Sequence, residues 1–281
     1  MVVGSLRTEV RKELGDNEHE ADWIISHVTK MTQEDFVKNP REITDSEYDE
    51  IMDIVNRRNS GEPLQYILGE TEFMGLVFKV SDDVLIPRQD TETLVETVIK
   101  KIKDKNVRVL DIGTGSGCVG ISIAKFCPNA EVTMLDYSDA VLEVASENAE
   151  INKVNVNLVR CDILEEIPEG KFDIIVSNPP YIETDTIFSL DNIVSMYEPP
   201  EALDGGFDGL MFYRRIVEIA PELLDDNSFI AFEIGYNQGE SVSEILDEAE
   251  FSAIKVIKDP CDNDRVVTAK YKSSIFSDLI P

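Results

Sequence analysis

The stretch of this sequence with the clearest capacity for chemistry is Asn178-Pro-Pro-Tyr181, which directly follows the apolar run Phe172–Ser177. The run predicts a buried strand. The two prolines remove backbone donors and fix φ, so neither strand pairing nor a helix continues through them. In the resulting rigid corner, Asn178 Oδ1 and a nearby main-chain carbonyl can accept the two hydrogens of an NH2 group, while Tyr181 packs on its plane. An ordinary turn is the alternative, because Asn-Pro and Pro-Pro are common turn dipeptides.

A second group with chemical potential is a glycine loop that follows the predicted strand Val107–Ile112 and precedes a predicted helix starting at Cys118. Its members are Gly113, Thr114, Gly115, Ser116 and Gly117. Backbone N–H groups of such a loop, together with the helix N-terminus, favour an anionic ligand group. The dinucleotide fingerprint requires a third glycine where Cys118 stands, and the Gly-Lys-Ser/Thr of a phosphate-binding P-loop is missing.

Two aspartates close the next two predicted strands of this domain. Asp136 ends the second strand, where it can accept hydrogen bonds from both hydroxyls of a ribose, and Asp162 follows the third, where it can accept from an adenine amino group. An adenosine that carries a carboxylate rather than a diphosphate fits this set, which predicts S-adenosylmethionine as the cofactor. The alternative is that both aspartates are loop acids that cap helices.

The elements that position these groups alternate between strand and helix from Val107 onward, and a closing strand pair is predicted at Ala253–Ile257 and Val266–Tyr271. Such alternation predicts parallel strands with helices on both faces. In an open doubly wound sheet, ligands bind beyond the carboxyl ends of the strands where strand order reverses. The first and fourth strands are neighbours there, so the glycine loop and the Asn178 corner should share one site. Arg88, just before a helix that Asp90 can cap, either holds an anionic ligand group or is a plain surface residue.

The preceding part of the chain is helical up to about residue 60, with a capping box at Thr44-Asp-Ser-Glu47. This bundle is either a packing scaffold or, as we favour, a docking module for a macromolecular substrate. Strand-like segments at Tyr66–Leu68, Glu70–Met74 and Leu76–Val80 then predict a β-hairpin linker. The predicted organisation is a helical docking domain (1–62), a hairpin linker (63–88), a catalytic domain (89–272) and a C-terminal tail (273–281).

Composition limits the class of partner. The 281 residues include 56 Asp and Glu against 26 Lys and Arg, a net charge of −30 that opposes nucleic-acid backbones. From Asp162 to Asp208 there are twelve carboxylates and one lysine, Lys171, which favours a basic protein partner unless these are merely solvated loops. No apolar run is as long as a membrane span and no signal-peptide pattern is present, so we expect a cytoplasmic protein without membrane association.

Histidine and cysteine usage narrows the chemistry further. The only histidines, His19 and His27, lie near the N-terminus, which excludes a histidine base or a histidine-rich zinc site in the main domain. The cysteines show no Cys-x-x-Cys spacing, and we expect small buried thiols in a reducing compartment rather than metal ligands or disulfides. These are Cys118, Cys127, Cys161 and Cys261.

Together with Asn178–Tyr181, four further strings make the sequence resemble the class I methyltransferases, and within them the HemK/PrmC family of release factor glutamine methyltransferases. The strings are Pro-Leu-Gln-Tyr66-Ile-Leu-Gly-Glu70, Leu-Ile-Pro87-Arg88-Gln-Asp90-Thr-Glu92, Tyr197-Glu198-Pro-Pro-Glu-Ala-Leu203 with Gly205-Gly206, and Asp264-Arg265-Val266. The sequence departs from the family at Gln89, where proline is common, and at Ile163, where a tryptophan lies near the adenine.

The resemblance implies an α/β fold with a doubly wound, mostly parallel seven-stranded sheet. It also implies methylation, by S-adenosylmethionine, of the glutamine amide in the Gly-Gly-Gln motif of class I peptide chain release factors. The resemblance implies that no metal takes part and that catalysis depends on Asn178, Pro179, Pro180 and Tyr181. The same four residues and Arg88 are implied to bind the substrate. The residues implied to bind the cofactor are Gly113, Thr114, Gly115, Ser116, Gly117, Asp136, Asp162, Ile163 and Asn178. Alternatives are methylation of a ribosomal-protein glutamine, N6-methylation of adenine in nucleic acid, which charge disfavours, and a cofactor-sensing module without catalysis.

Overall fold

The computed structural model describes residues 1–187 and 196–272. It divides into two compact units, with the boundary between Glu70 and Thr71. The predicted C-terminal tail, 273–281, lies outside the described residues. No helix in the described ranges combines the length and the apolar character needed to cross a bilayer.

The first unit is a helical bundle. Its helices are α1 (Val3–Glu13), α2 (Glu18–Thr29), α3 (Gln33–Lys38), α4 (Asp45–Asn59) and α5 (Leu64–Leu68). Apolar side chains at helical spacing, such as Leu6, Ile24 and Ile51, are fully buried in its core. The predicted capping box at Thr44 is present, because its hydroxyl accepts from the Glu47 N–H at 3.2 Å while the Glu47 carboxylate accepts from the Thr44 N–H at 2.9 Å.

The strand predicted at Tyr66–Leu68 is wrong, because these residues belong to α5. Pro63 precedes the helix with a φ of −59°, which favours a helical start, and Gly69 ends it with a φ of +74°. Leu64 and Leu68, four residues apart, pack into the core of the helical unit. The predicted hairpin itself is present as β1 (Glu70–Phe73) and β2 (Leu76–Lys79).

The second unit is built on a seven-stranded sheet with the order β5-β4-β3-β6-β7-β9-β8. Its strands are β3 (Val107–Ile112), β4 (Ala130–Asp136), β5 (Asn157–Arg160), β6 (Phe172–Ser177), β7 (Leu224–Glu233), β8 (Ser252–Lys258) and β9 (Asp264–Lys270). Pairing is parallel from β5 to β7 and antiparallel at β7–β9 and β8–β9. The predicted doubly wound, mostly parallel fold is confirmed.

Helices cover both faces of this sheet and define two apolar layers. The flanking helices are α6 (Glu92–Ile102), α7 (Cys118–Phe126), α8 (Asp139–Asn152), α10 (Met211–Leu223) and α11 (Gly239–Glu248), whereas the short helix α9 (Thr184–Ile187) buries none of its residues. Side chains of β6 alternate between the layers: Ile175 packs with α10 and α11, whereas Ile174 and Val176 pack with α6 and α7. This alternation determines which face each residue beyond a strand end will point toward.

Two local expectations are wrong. Asp90 does not cap α6: it lies in a short 3-10 turn, Gln89–Thr91, and its carboxylate pairs with Arg265 at 3.0 Å. The cation at Arg265 offers this acid a stronger partner than a helix N–H would. Cys261 is exposed because it lies in the tight turn between β8 and β9, while the other three cysteines are buried as free thiols.

Candidate active site

A cavity of about 490 Å³ opens at the carboxyl ends of the central strands of the second unit. Its wall includes most of the residues that the sequence nominated: Arg88, Gly113, Thr114, Gly115, Ser116, Asp136, Asp162, Ile163, Asn178, Pro179 and Pro180. Except for Arg88, which precedes the 3-10 turn Gln89–Thr91, these residues end or follow separate strands that the order β5-β4-β3-β6 brings together. Gly117 and Tyr181, also nominated, do not line the cavity.

The glycine loop is shaped by its backbone. Gly113 and Gly115 adopt φ values of +69° and +54°, in the left-handed region that favours glycine. The N–H groups of Gly113 and Thr114 both donate to the Leu135 carbonyl, at 2.9 and 3.0 Å, which pulls the loop toward the end of β4. Gly117 acts differently from the other loop residues: it caps α7 with a φ of +82°, and a side chain there would meet Ile121 and Met134.

Asp136 links this loop to the neighbouring strand end. Its Oδ2 accepts from the Gly115 N–H at 3.2 Å and its Oδ1 accepts from the Ser138 N–H at 3.3 Å. Burial raises the pKa of Asp136, and the backbone N–H donors oppose that rise. Asp162 and Ile163 line the same side of the cavity, where the Asp162 carboxylate also accepts from the Leu164 N–H at 3.0 Å. This side offers a carboxylate at each of two strand ends beside apolar surface.

The Asn178 corner lies across from the loop because β3 and β6 are adjacent and parallel. Ile112 is the register partner of Ser177, so the residues that follow this pair, Gly113 and Asn178, leave the sheet side by side. The side-chain amide of Asn178 donates to Thr91 Oγ1 at 3.3 Å. Pro179 and Pro180 continue along the cavity wall.

Two glycines of a neighbouring loop pack closely against the backbone of the Asn178 corner. A Cβ at Gly205 would lie 2.8 Å from the Pro180 carbonyl oxygen, and one at Gly209 would clash with the Tyr181 carbonyl. The Gln238 amide donates to that same Tyr181 carbonyl at 3.0 Å. Tyr181 itself packs against the apolar layer under α10, and burial raises the pKa of its phenol to about 12. The phenol therefore stays protonated at neutral pH.

Arg88 reaches the cavity but is already paired. Its guanidinium donates to the buried carboxylate of Glu198, and burial raises the pKa of that carboxyl while the arginine opposes the rise. The charge of Arg88 thus compensates Glu198. Any role in holding substrate would be shared with that pair.

Sequence reasoning missed three buried polar residues around this site. Thr91 and Asp111 line the cavity, and Glu233 ends β7 next to the corner. Asp111 accepts from the Thr114 hydroxyl at 2.6 Å and from the Gly120 N–H at 3.0 Å, and burial raises its pKa to about 6. Asp111 and Glu233 interrupt apolar runs, and an acid near the end of a buried strand was the signal available for them in the sequence, whereas Thr91 stands among polar residues and gave no such signal.

Comparison with known proteins places this arrangement in a class. A methyltransferase of Pyrococcus furiosus superposes with a TM-score of 0.54 at 20% identity, over 82% of this chain and 100% of that one. A 16S rRNA methyltransferase of T. thermophilus, solved with AdoMet and guanosine, gives 0.52 at 18% identity, over 72% and 50%. Residues 88–195 match the methyltransferase small domain. Fold and site therefore define a class I methyltransferase.

Sequence relatives narrow the class to a family. Residues 6–69 match the PrmC N-terminal domain. A release factor glutamine methyltransferase of Clostridium botulinum is 41% identical over 92% of this chain and 94% of its own length. Another, of Thermodesulfovibrio yellowstonii, is 39% identical over 95% and 97%. This chain belongs to the family of release factor glutamine methyltransferases.

Proposed function

We propose that this protein transfers a methyl group from S-adenosylmethionine to the side-chain amide nitrogen of the glutamine in the Gly-Gly-Gln motif of class I peptide chain release factors. The observation that carries the proposal is the single cavity shared by the glycine loop and the Asn178 corner, in a chain of this family. A methyl donor bound at the first would lie beside an amide bound at the second.

The residues on the β4 side of the cavity fit S-adenosylmethionine. The left-handed backbone at Gly113 and Gly115 leaves open space where side chains would intrude, since no described atom outside the adjoining residues lies within 4 Å of a Cβ built at either position. Asp136 would accept from the ribose hydroxyls, and Asp162 with Ile163 would hold the adenine. When bound, the cofactor supplies a methyl group activated by a sulfonium. Gly117 would contribute indirectly, by fixing the start of α7.

On the substrate side, Asn178 Oδ1 and the Pro179 carbonyl would accept the two N–H bonds of the glutamine amide. An amide nitrogen is a poor nucleophile because its lone pair is delocalised into the carbonyl. Holding both N–H bonds orients that nitrogen toward the glycine loop and favours a pyramidal geometry, so positioning and electrostatics supply the catalysis. Pro180 and Tyr181 would keep the corner rigid.

This mechanism does not require a strong base. Formation of the N–C bond would break the C–S bond of the sulfonium, which leaves as a neutral thioether. The N-alkylated, protonated amide is then very acidic and loses its proton readily to water. The phenol of Tyr181, with its pKa near 12, is neutral at physiological pH and suits packing rather than proton abstraction. The Asn178 corner is thus chemically sufficient.

The acidic charge of the chain favours a basic protein substrate over a nucleic acid, whose phosphates it would repel. The region that matches the PrmC N-terminal domain, residues 6–69, has a packed core of its own. We assign the predicted docking role of residues 1–62 to this helical bundle, with its acidic surface contributing to recognition of the release factor.

To test the proposal, the enzyme is incubated with S-adenosylmethionine and a purified release factor, and the Gly-Gly-Gln peptide is analysed by mass spectrometry. We expect one added methyl group on the glutamine. A release factor with glutamate in place of that glutamine is the matched control and should stay unmodified. Parallel reactions contain ribosomal proteins and RNA or DNA. An unmodified release factor beside a methylated ribosomal protein or nucleic acid would overturn the assignment.

A further inference from the structure

Glu233 is a buried carboxylate at the end of β7 that the proposed chemistry does not use directly. The residue is only 2% exposed, and its Oε2 has no hydrogen-bond partner among the described residues. Its backbone is fixed, since the Glu233 carbonyl accepts from the Tyr213 hydroxyl at 2.8 Å and the residue pairs with Val266 of β9. Burying a carboxylate this completely is unfavourable unless local interactions compensate for its desolvation.

Strand register puts Glu233 beside Asn178. Ser177, the last residue of β6, pairs with Phe232 of β7 in parallel register, so Asn178 and Glu233 are the next residues along the two chain segments. Alternation then points both side chains toward the same face of the sheet. Val176 on β6 and Ala231 on β7, two residues earlier, pack in the layer under α6 and α7.

Thr91, at the start of α6, completes a small polar cluster on that face. Its hydroxyl accepts from the Asn178 amide nitrogen at 3.3 Å. The Thr91 hydroxyl and the Asn178 side chain also lie close enough to Glu233 to favour its charged form. Asn178 therefore has two polar neighbours on its protein side and the cavity on its other side.

The chemistry of a carboxylate decides which end of the Asn178 amide faces it. An ionised carboxylate has acceptors only, so its neighbour must be the amide NH2 rather than the amide oxygen. With the NH2 group held by Glu233 and Thr91, Oδ1 is left to face the cavity. That is the atom which the proposed function requires as an acceptor for the substrate amide.

We propose that Glu233 is a positioning residue, which holds the Asn178 amide so that Oδ1 points toward the substrate. The inference rests on the proposed function for its catalytic meaning, although the orientation of Asn178 can be measured without substrate. A neutral acid at position 233 could instead donate its O–H to Oδ1 and turn that oxygen away from the cavity.

The protonation of Glu233 makes this orientation depend on pH. Burial raises the pKa of Glu233 to about 7, against the opposing effects of Thr91, Arg265 and Asn178. Because the carboxylate is the orienting form, turnover should rise with pH through about 7. The charged and titratable groups facing it from the surrounding elements are Asp90, Cys118, Tyr181, Tyr213 and Arg265.

Most of these neighbours do not titrate near neutral pH. Burial raises the pKa of Cys118, Tyr181 and Tyr213, which stay protonated, and the pKa of Arg265 is raised further by Asp90, so it stays cationic. Asp111, whose register partner is Val176 of the neighbouring strand, has a pKa that burial raises to about 6. A substitution at position 233 separates the contribution of Asp111 to the pH dependence from that of Glu233.

The first test uses the enzyme alone. The side-chain NH2 resonances of Asn178 are assigned by their loss in Asn178→Ala and followed by nitrogen–proton NMR against pH. In the wild type they should titrate with a midpoint near 7. In Glu233→Gln, which keeps size but removes the charge, that titration should vanish, whereas the exposed Glu244→Gln should keep it. A wild-type Asn178 amide that is insensitive to pH, or a titration that persists in Glu233→Gln, would overturn the inference.

The second test is kinetic and uses the release factor as substrate. A glutamine at 233 can accept from the Asn178 NH2 or donate to its Oδ1, so the preference for one orientation is lost. We expect kcat to fall about 10- to 100-fold, as for loss of a hydrogen bond to a charged group, with KM and cofactor affinity little changed. The rise of kcat through pH 7 should disappear with it. A Glu233→Gln variant with full kcat and an unchanged pH profile would overturn the inference. A wild-type enzyme that leaves release factors unmethylated would instead overturn the proposed function, and the NMR result would then decide the inference.

Discussion

Ser177 and Ile112 are register partners on the two central parallel strands, and the Ser177 hydroxyl donates to the Ile112 carbonyl at 2.6 Å. This pair ties together the last residues of the two strands. Both chains leave the sheet at the next residue, as Gly113 on one side and Asn178 on the other. In the proposed function, the distance between a methyl donor on the loop and an acceptor at the corner would therefore be fixed by the sheet.

Replacement of Asp136 should weaken cofactor binding selectively. In Asp136→Asn the side chain keeps its size but loses the charge that would accept from two ribose hydroxyls. We expect the Kd for S-adenosylmethionine to rise about 10-fold or more, on the scale of charged hydrogen bonds, as measured by isothermal titration calorimetry. The control is Asp139→Asn, whose side chain is 84% exposed and pairs with Arg160. Equal affinities in the two variants would contradict the role of Asp136.

A side chain at Gly120 should destabilise the catalytic domain. A Cβ there would lie 2.6 Å from Met134 Cγ and 2.9 Å from Asp111 Oδ2, so α7 cannot keep its close approach to the sheet. For Gly120→Ala we expect a loss of about 1–3 kcal/mol in the free energy of unfolding, as for overpacked cores, measured by urea denaturation.

Ser122 provides the matched control on the same helix. It is fully buried and its hydroxyl has no partner within the described part of the chain, so Ser122→Ala removes an unsatisfied polar atom. That substitution should be neutral or stabilising. Destabilisation of both variants by the same amount would contradict a specific steric role for Gly120.

The ion pairs of Arg265 should matter more for stability than those of Arg108. The Arg265 side chain is 10% exposed and pairs with Asp90 at 3.0 Å and Asp259 at 3.2 Å. Arg265→Met therefore leaves the buried carboxylate of Asp259 without its cationic partner. Arg108 is 42% exposed beside Asp173 and Asp225. Loss of unfolding free energy in Arg265→Met should exceed that in Arg108→Met about threefold or more. Similar losses in the two would contradict this account.

Much of the catalytic unit was predictable because its pattern is locally encoded. The run Phe172–Ser177 is a strand with the predicted bounds, and the loop from Gly113 has the left-handed backbone that its glycines suggest. The adjacency of β3 and β6 followed from a general rule of parallel sheets, which is why the loop and the Asn178 corner were expected on one side of the sheet.

What sequence could not supply was the partner of each polar side chain. Asp90 looked like a helix cap but pairs with Arg265, a residue 175 positions later in the chain. Tyr66–Leu68 looked extended because its aromatic and β-branched residues favour strands, yet packing of Leu64 and Leu68 in the helical unit prevailed. Glu233 gave no local sign of its neighbour Asn178, since register across two strands is a tertiary property.

The most direct test of the account is the turnover of Asn178→Ala measured beside its cofactor affinity. Release factor methylation is followed by mass spectrometry, and the Kd for S-adenosylmethionine is measured on the same preparation by calorimetry. We predict that turnover falls by about 100-fold or more, as when a preorganised polar group is removed from an active site. The Kd should stay within about threefold, a smaller change than the loss of one hydrogen bond would cause. Turnover at the wild-type rate, or a loss fully explained by weaker cofactor binding, would contradict the account.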